Sequence, residues 1–311
     1  MSERDSLLKV SLDELRMQML GTQVLFGFQF QSLFQERFAP GDELVRAAAL
    51  SGMIAMVLTI GLLIAAPAVH RIADAGQATR RTRSLTSTLA RSALITLPVG
   101  LACAVLVTVA TQFGNRVALV AAVIAVSAGL LAWQGWGILL RRHSRPSSRS
   151  RSMQEKSASV HDRIDYLLTE SRVMLPGAQA LLGFQLIVPL TKSFEALSDA
   201  AKTVHFFALI FIAVAVIVLI TPAAVHRIAF GGADDERFLR LASRIVTVAL
   251  VPLALGVASE LYVATSRLLP GSNAPIWTAT GAACVLFGLW YAMPLALRMR
   301  AAGERRLGAT S

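Results

Sequence analysis

Eight stretches of this chain run for 15 to 30 residues without Asp, Glu, Lys or Arg. They cover 17–35, 47–69, 92–115 and 117–140, then 173–191, 203–225, 245–259 and 268–297; His205 interrupts 203–225 only if it is charged. A helix rises 1.5 Å per residue, so about 20 apolar residues cross the roughly 30 Å hydrocarbon core of a bilayer. The stretch 245–259 spans if its helix continues past Glu260. Lipid offers the backbone no hydrogen bonds, so isolated spans must be helical. The expected fold is therefore all-α and integral to a membrane. Charged residues make up 16% of the chain, against about 25% in soluble domains.

The second feature is a repeat. A shift of 156 residues lays Gly21, Gln23, Gly27, Phe28 and Gln29 over Gly177, Gln179, Gly183, Phe184 and Gln185. The same shift aligns AVHRIA at 68–73 with AVHRIA at 224–229. A shift of 154 aligns Pro98 with Pro252, and Trp133 falls over Trp290 in the last spans. Four spans per copy is an even number, so both copies enter and leave on one side, as parallel tandem repeats. The expected organisation has a first four-span repeat at 1–142, with helices near 17–37, 47–69, 90–113 and 117–140. A basic Ser- and Arg-rich linker follows at 143–160. The second repeat is 161–311, with helices near 172–193, 203–225, 240–265 and 275–297.

The net charge is +11, and 24 of the 30 Lys and Arg fall in the N-terminal segment, the linker, alternate connections and the C-terminal segment. That is the positive-inside pattern. It predicts an inner (plasma) membrane protein with both termini cytoplasmic. The partners expected are the bilayer itself and anionic lipids at the cytoplasmic face, with a homo-oligomer open and nucleic acid not needed. Acidic residues in the first sixteen argue against a cleavable leader. Cys103 and Cys284 fall inside spans and read as small core residues.

Several polar residues stand out against this background. Arg16, Gln23 and Gly27 follow one helical stripe, which recurs as Arg172, Gln179 and Gly183, with Gln29 and Gln185 close by. The stripe is either an interface between copies or a polar pathway. His70-Arg71 and His226-Arg227 end the second spans. They read as headgroup anchors matched to the helix dipole or as a pH-sensing pair near the acids that open the first spans. Glu260 is an intramembrane acid whose counterpart is Leu106, and it falls towards the outer interface. Pro98 and Pro252 interrupt the third spans. No P-loop, zinc-binding His cluster or nucleophile elbow is present, so neither an enzyme nor a metal or cofactor site is expected.

Each copy resembles a bacterial family of four-span membrane proteins classed as a domain of unknown function. The resemblance rests on Glu14-Leu15-Arg16, Gly21-Thr22-Gln23 and Pro67-Ala68-Val69-His70-Arg71. In the second copy it rests on Pro222 to Arg227 and on Trp290-Tyr291-Ala292-Met293-Pro294-Leu295. The first copy departs at the last element, reading Trp133-Gln134-Gly135-Trp136. Some members of that family carry a sodium:proton antiporter label. The favoured reading is movement of a small ion, a proton or sodium, through or beside the pseudo-symmetric polar face. The alternative is a non-transporting structural or regulatory membrane protein.

Overall fold

The computed structural model describes residues 3–36, 38, 41–74, 80–135, 160–230 and 235–308, and the side chains of these except 3–16, 80–83, 134–135, 162 and 304–308. All regular structure among the described residues is helical. The first copy contains α1 (Glu3–Ser32), α2 (Glu43–Ile72), α3 (Arg80–Phe113) and α4 (Asn115–Leu130). The second contains α5 (Val160–Ile187), α6 (Asp199–Ile228), α7 (Glu236–Leu268), α8 (Ala274–Phe287) and α9 (Met293–Gly308). The expected linker lies outside the described residues, apart from Val160.

Seven helical segments among the described residues are long and apolar enough to cross a bilayer. α1 carries the additional charge-free run that opens the chain. This is a multi-pass, all-helical membrane protein. The helices outrun the apolar stretches because their ends are capped in polar flanks. The carboxylate of Asp42 accepts from the amides of Leu44 and Val45, Ser198 caps α6 through Ala201, and Asp235 caps α7 through Arg237. Such caps satisfy amides that the first helical turn leaves without partners. His and Arg occupy the last turns of both α2 and α6. α3 and α4 meet through one residue, Gly114, at φ 80° and ψ 168°. That backbone region is open essentially to glycine alone.

The prolines do not divide the third spans. α3 runs through Pro98 and α7 through Pro252, and Pro98 packs against Gly129 of α4. The last span of each copy instead contains a π-turn, Leu131–Gly135 in one and Gly288–Ala292 in the other. The repeated Trp133 and Trp290 are the third residue of each turn.

α1 and α5 run parallel and join the copies. The amide of Gln23 sits on Gly177, and the ring of Phe184 sits on Gly27. Phe28 meets Phe184 with ring centroids 4.5 Å apart. Beyond this pair the copies part company. α2 is enclosed, packing against α7, α8 and the Gly288–Ala292 turn of the other copy, and Trp290 donates to the Gly61 carbonyl at 3.0 Å. α4 and α6 instead turn broad apolar faces outward, Val120, Val123 and Ile124 on one, Phe206, Ile210 and Ile217 on the other. Cys103 is half-buried, whereas Cys284 lies on the outer surface, and both are free thiols.

Candidate functional site

Two polar zones lie at opposite ends of the bundle, both built across helices that the α1–α5 pair brings together. The first is at the basic side, where α2 ends and α5 begins. Arg71 is buried between the copies. Its guanidinium pairs with Glu170 of α5 and donates through Nε to Thr247 Oγ1 of α7 at 3.0 Å. His70, also buried, stands edge-on to Tyr166 at 6.1 Å. Tyr291, in the π-turn, donates to the Thr247 carbonyl at 2.5 Å. These groups line a cavity of about 730 Å³.

The same hexapeptide meets a different fate in the second copy. His226 is half-buried against Phe238, with centroids 4.5 Å apart, and Arg227 is exposed. Identical local sequence thus gives a buried cross-copy contact at one end and a surface helix end at the other. Anchoring suits Arg227; Arg71 instead holds helices of both copies together.

The second zone is at the far side, where α5 ends, α6 begins and α7 ends. His205 and Glu260 are fully enclosed, with 0% and 3% of their surfaces exposed. His205 Nδ1 lies 3.3 Å from Glu260 Oε1. Gln185 Nε2 donates to the same oxygen at 2.6 Å, and His205 Nε2 lies 3.1 Å from the Gln185 carbonyl. Phe30 of the first copy stacks on the imidazole and Phe194 meets it edge-on. Arg267, seven residues beyond Glu260, reaches Ser193. Glu260 Oε2, Gln185 Oε1 and His205 Nδ1 have no hydrogen-bond partner among the described residues, so the 3.3 Å approach of Nδ1 to Oε1 is a close contact and not a formed hydrogen bond.

A carbonyl only accepts, so the 3.1 Å contact places a proton on His205 Nε2. The Nδ1–Oε1 contact then has two forms. Either the carboxylic acid faces a neutral imidazole, or the carboxylate faces an imidazolium. Both are neutral overall, so the two forms place no net charge in the apolar interior.

Gln23 lies between the zones. It is fully buried on Gly177, and both its amide atoms lack partners among the described residues. Along α5 at 1.5 Å per residue, Gly177 is about 10 Å from Glu170 and about 12 Å from Gln185.

The remaining sequence candidates divide by copy. Gln29 Nε2 donates to the Gly100 carbonyl at 2.9 Å, so the paired glutamines both reach the third helix of their own copy, one to a carbonyl and one to Glu260. Gly27 is covered by Phe184, but Gly183 has open space around it, and Gln179 and Arg172 are exposed. The Arg16 side chain lies outside the described residues. α1 and α5 present different faces to one another, so the stripe is not a pair of equivalent surfaces.

Sequence reasoning had not joined His205 to Glu260, or Arg71 to Glu170. A signal for the first pair was present. Under the repeat alignment their counterparts are Ala49 and Leu106. Two unmatched ionisable residues in apolar spans of one copy point to each other.

Residues 4–136 and 154–294 each match a family of unknown function (DUF6328). No curated protein and no solved structure matches the chain. The two matched segments take in most of the sequence, and the chain belongs to this family, carrying its unit twice.

Proposed function

We propose that this protein moves protons across the membrane, with His205 and Glu260 as the exchanging pair and the cavity beside Arg71 as the opening on the basic side. The supporting observation is the complete enclosure of an imidazole and a carboxyl group side by side within apolar spans. An ionisable residue within a span costs up to about 2.5–3.5 kcal/mol on insertion scales, the upper figure applying at the bilayer centre. Packing alone does not call for that cost, since Ala49 and Leu106 fill the equivalent places in the first copy. Gln23, midway between the two zones, offers a donor and an acceptor for a relay through water. A single imidazole–carboxyl contact suits a proton better than sodium, which takes a shell of several oxygens. By the positive-inside rule the basic side is cytoplasmic.

The reading is tested with purified protein in liposomes holding a pH-sensitive dye. An imposed pH gradient should collapse faster than in protein-free liposomes, with the membrane potential clamped by potassium and valinomycin. Gradient decay no faster than in empty liposomes would favour the structural or regulatory alternative.

A further inference from the structure

We propose that the cavity at the basic side is a binding site for one anionic phospholipid. Its volume of about 730 Å³ falls within the 300–1,000 Å³ of pockets that enclose organic ligands. Arg71, Arg163, Arg240, Arg244 and Arg298 line it with a single lining acid, Glu170, which is paired with Arg71; Arg240 is also paired with Glu236 on the exposed face of its own helix. Arg240, Arg244 and Arg298 are exposed and so mark the rim. Leu167, Val173, Leu239, Val248 and Leu295 form apolar wall.

One further atom points to an anionic occupant. Arg71 Nη2 lines the cavity on a side chain more than nine-tenths buried and has no hydrogen-bond partner among the described residues. A buried donor is costly to leave unmet. Guanidinium groups bind phosphate oxygens in pairs of parallel bonds. Basic pockets between spans are a recurrent headgroup site. A free phosphate would use the arginines and leave the apolar wall without a role; a phospholipid uses both, with its phosphate between the rim arginines and Arg71 and an acyl chain along the wall. The arginines belong to α2, α5, α7 and α9, so the lipid would bridge the two copies on the side where α2 is enclosed. This inference concerns the cavity that the proton reading uses as its basic-side opening, but it rests on the cavity and its cations, and its test reads lipid binding and not proton flux.

The test uses the full chain, purified in detergent and stripped of lipid. It is titrated with phosphatidylglycerol, with phosphatidylcholine of the same chains, and with glycerophosphoglycerol, the headgroup without chains. Retained lipid is counted by native mass spectrometry. One phosphatidylglycerol per chain is expected, held at least tenfold more tightly than either comparison compound. The variant R240Q/R244Q/R298Q changes only exposed side chains, so it should fold as the parent does by circular dichroism and bind phosphatidylglycerol at least tenfold more weakly. Equal retention of phosphatidylcholine, headgroup binding as tight as whole lipid, or an unchanged triple variant would each overturn the proposal.

Discussion

The Trp290 indole donates to the carbonyl of Gly61 in the other copy, while its repeat counterpart, Trp133, stands 39% exposed in the same kind of π-turn. A duplicated sequence has thus acquired two environments. Trp290→Phe removes one interhelical bond, worth about 0.6 and up to about 2 kcal/mol in membranes. Trp290→Ala also leaves a cavity and should cost about 3–5 kcal/mol. Trp133→Ala should change unfolding in detergent by less than about 0.5 kcal/mol.

The α1–α5 contact gives a second asymmetric expectation. A side chain at Gly27 collides with the Phe184 ring, and one at Gly177 collides with Gln23, whereas Gly183 and Gly21 have open space. Gly27→Leu and Gly177→Leu should lower the thermal unfolding temperature of the full chain by several degrees. Gly183→Leu should leave it within about a degree, consistent with surface substitutions of at most ~0.5 kcal/mol.

Arg71 and Arg227 extend the comparison to charge. Arg71→Gln strands Glu170 in a largely buried site, and breaking one side of such a pair costs about 3–5 kcal/mol. The double variant R71Q/E170Q should recover part of that loss. Arg227 is exposed, so Arg227→Gln should be nearly silent in the same denaturation assay.

Far less of the site than of the fold was legible in the sequence. Charge-free length and the 156-residue shift carried the all-helical architecture, because the bilayer imposes both helix and span length. Which face of α1 meets which face of α5 was not legible. The repeat implied equivalent stripes, but Gln23–Gly177 and Gly27–Phe184 are offset contacts, set by how bulky side chains interlock. Identical AVHRIA segments separated for the same reason: α2 is enclosed by the other copy and α6 is not. Pairing of His205 with Glu260 needed the third dimension, although their lack of counterparts in the first copy was visible.

Asp42 provides a pH-dependent expectation outside the membrane. The Asn115 amide donates to its Oδ2 at 2.5 Å and, with help from the Val45 and Leu44 amides against slight burial, holds the carboxyl below its ordinary value of 3.8. A lowered folded-state value means the cap is fully effective above 3.8 and is lost as the pH falls through that lower value. Amide exchange at Leu44 and Val45, corrected for its intrinsic pH dependence, should accelerate in that acid range. Asp42→Ala should show the faster exchange already at neutral pH and lose the acid-dependent step.

The most direct test of the proton reading compares dye-reported proton flux in liposomes for the parent, Glu260→Gln and His205→Gln, at matched incorporation and helicity. Glu260→Gln keeps the shape and a hydrogen bond to Gln185 but cannot exchange a proton. His205→Gln removes the titrating imidazole. Proton exchange through this pair predicts at least tenfold slower flux in both variants, with Trp133→Ala as an unaffected control. Parent-like flux in well-folded Glu260→Gln and His205→Gln would contradict it.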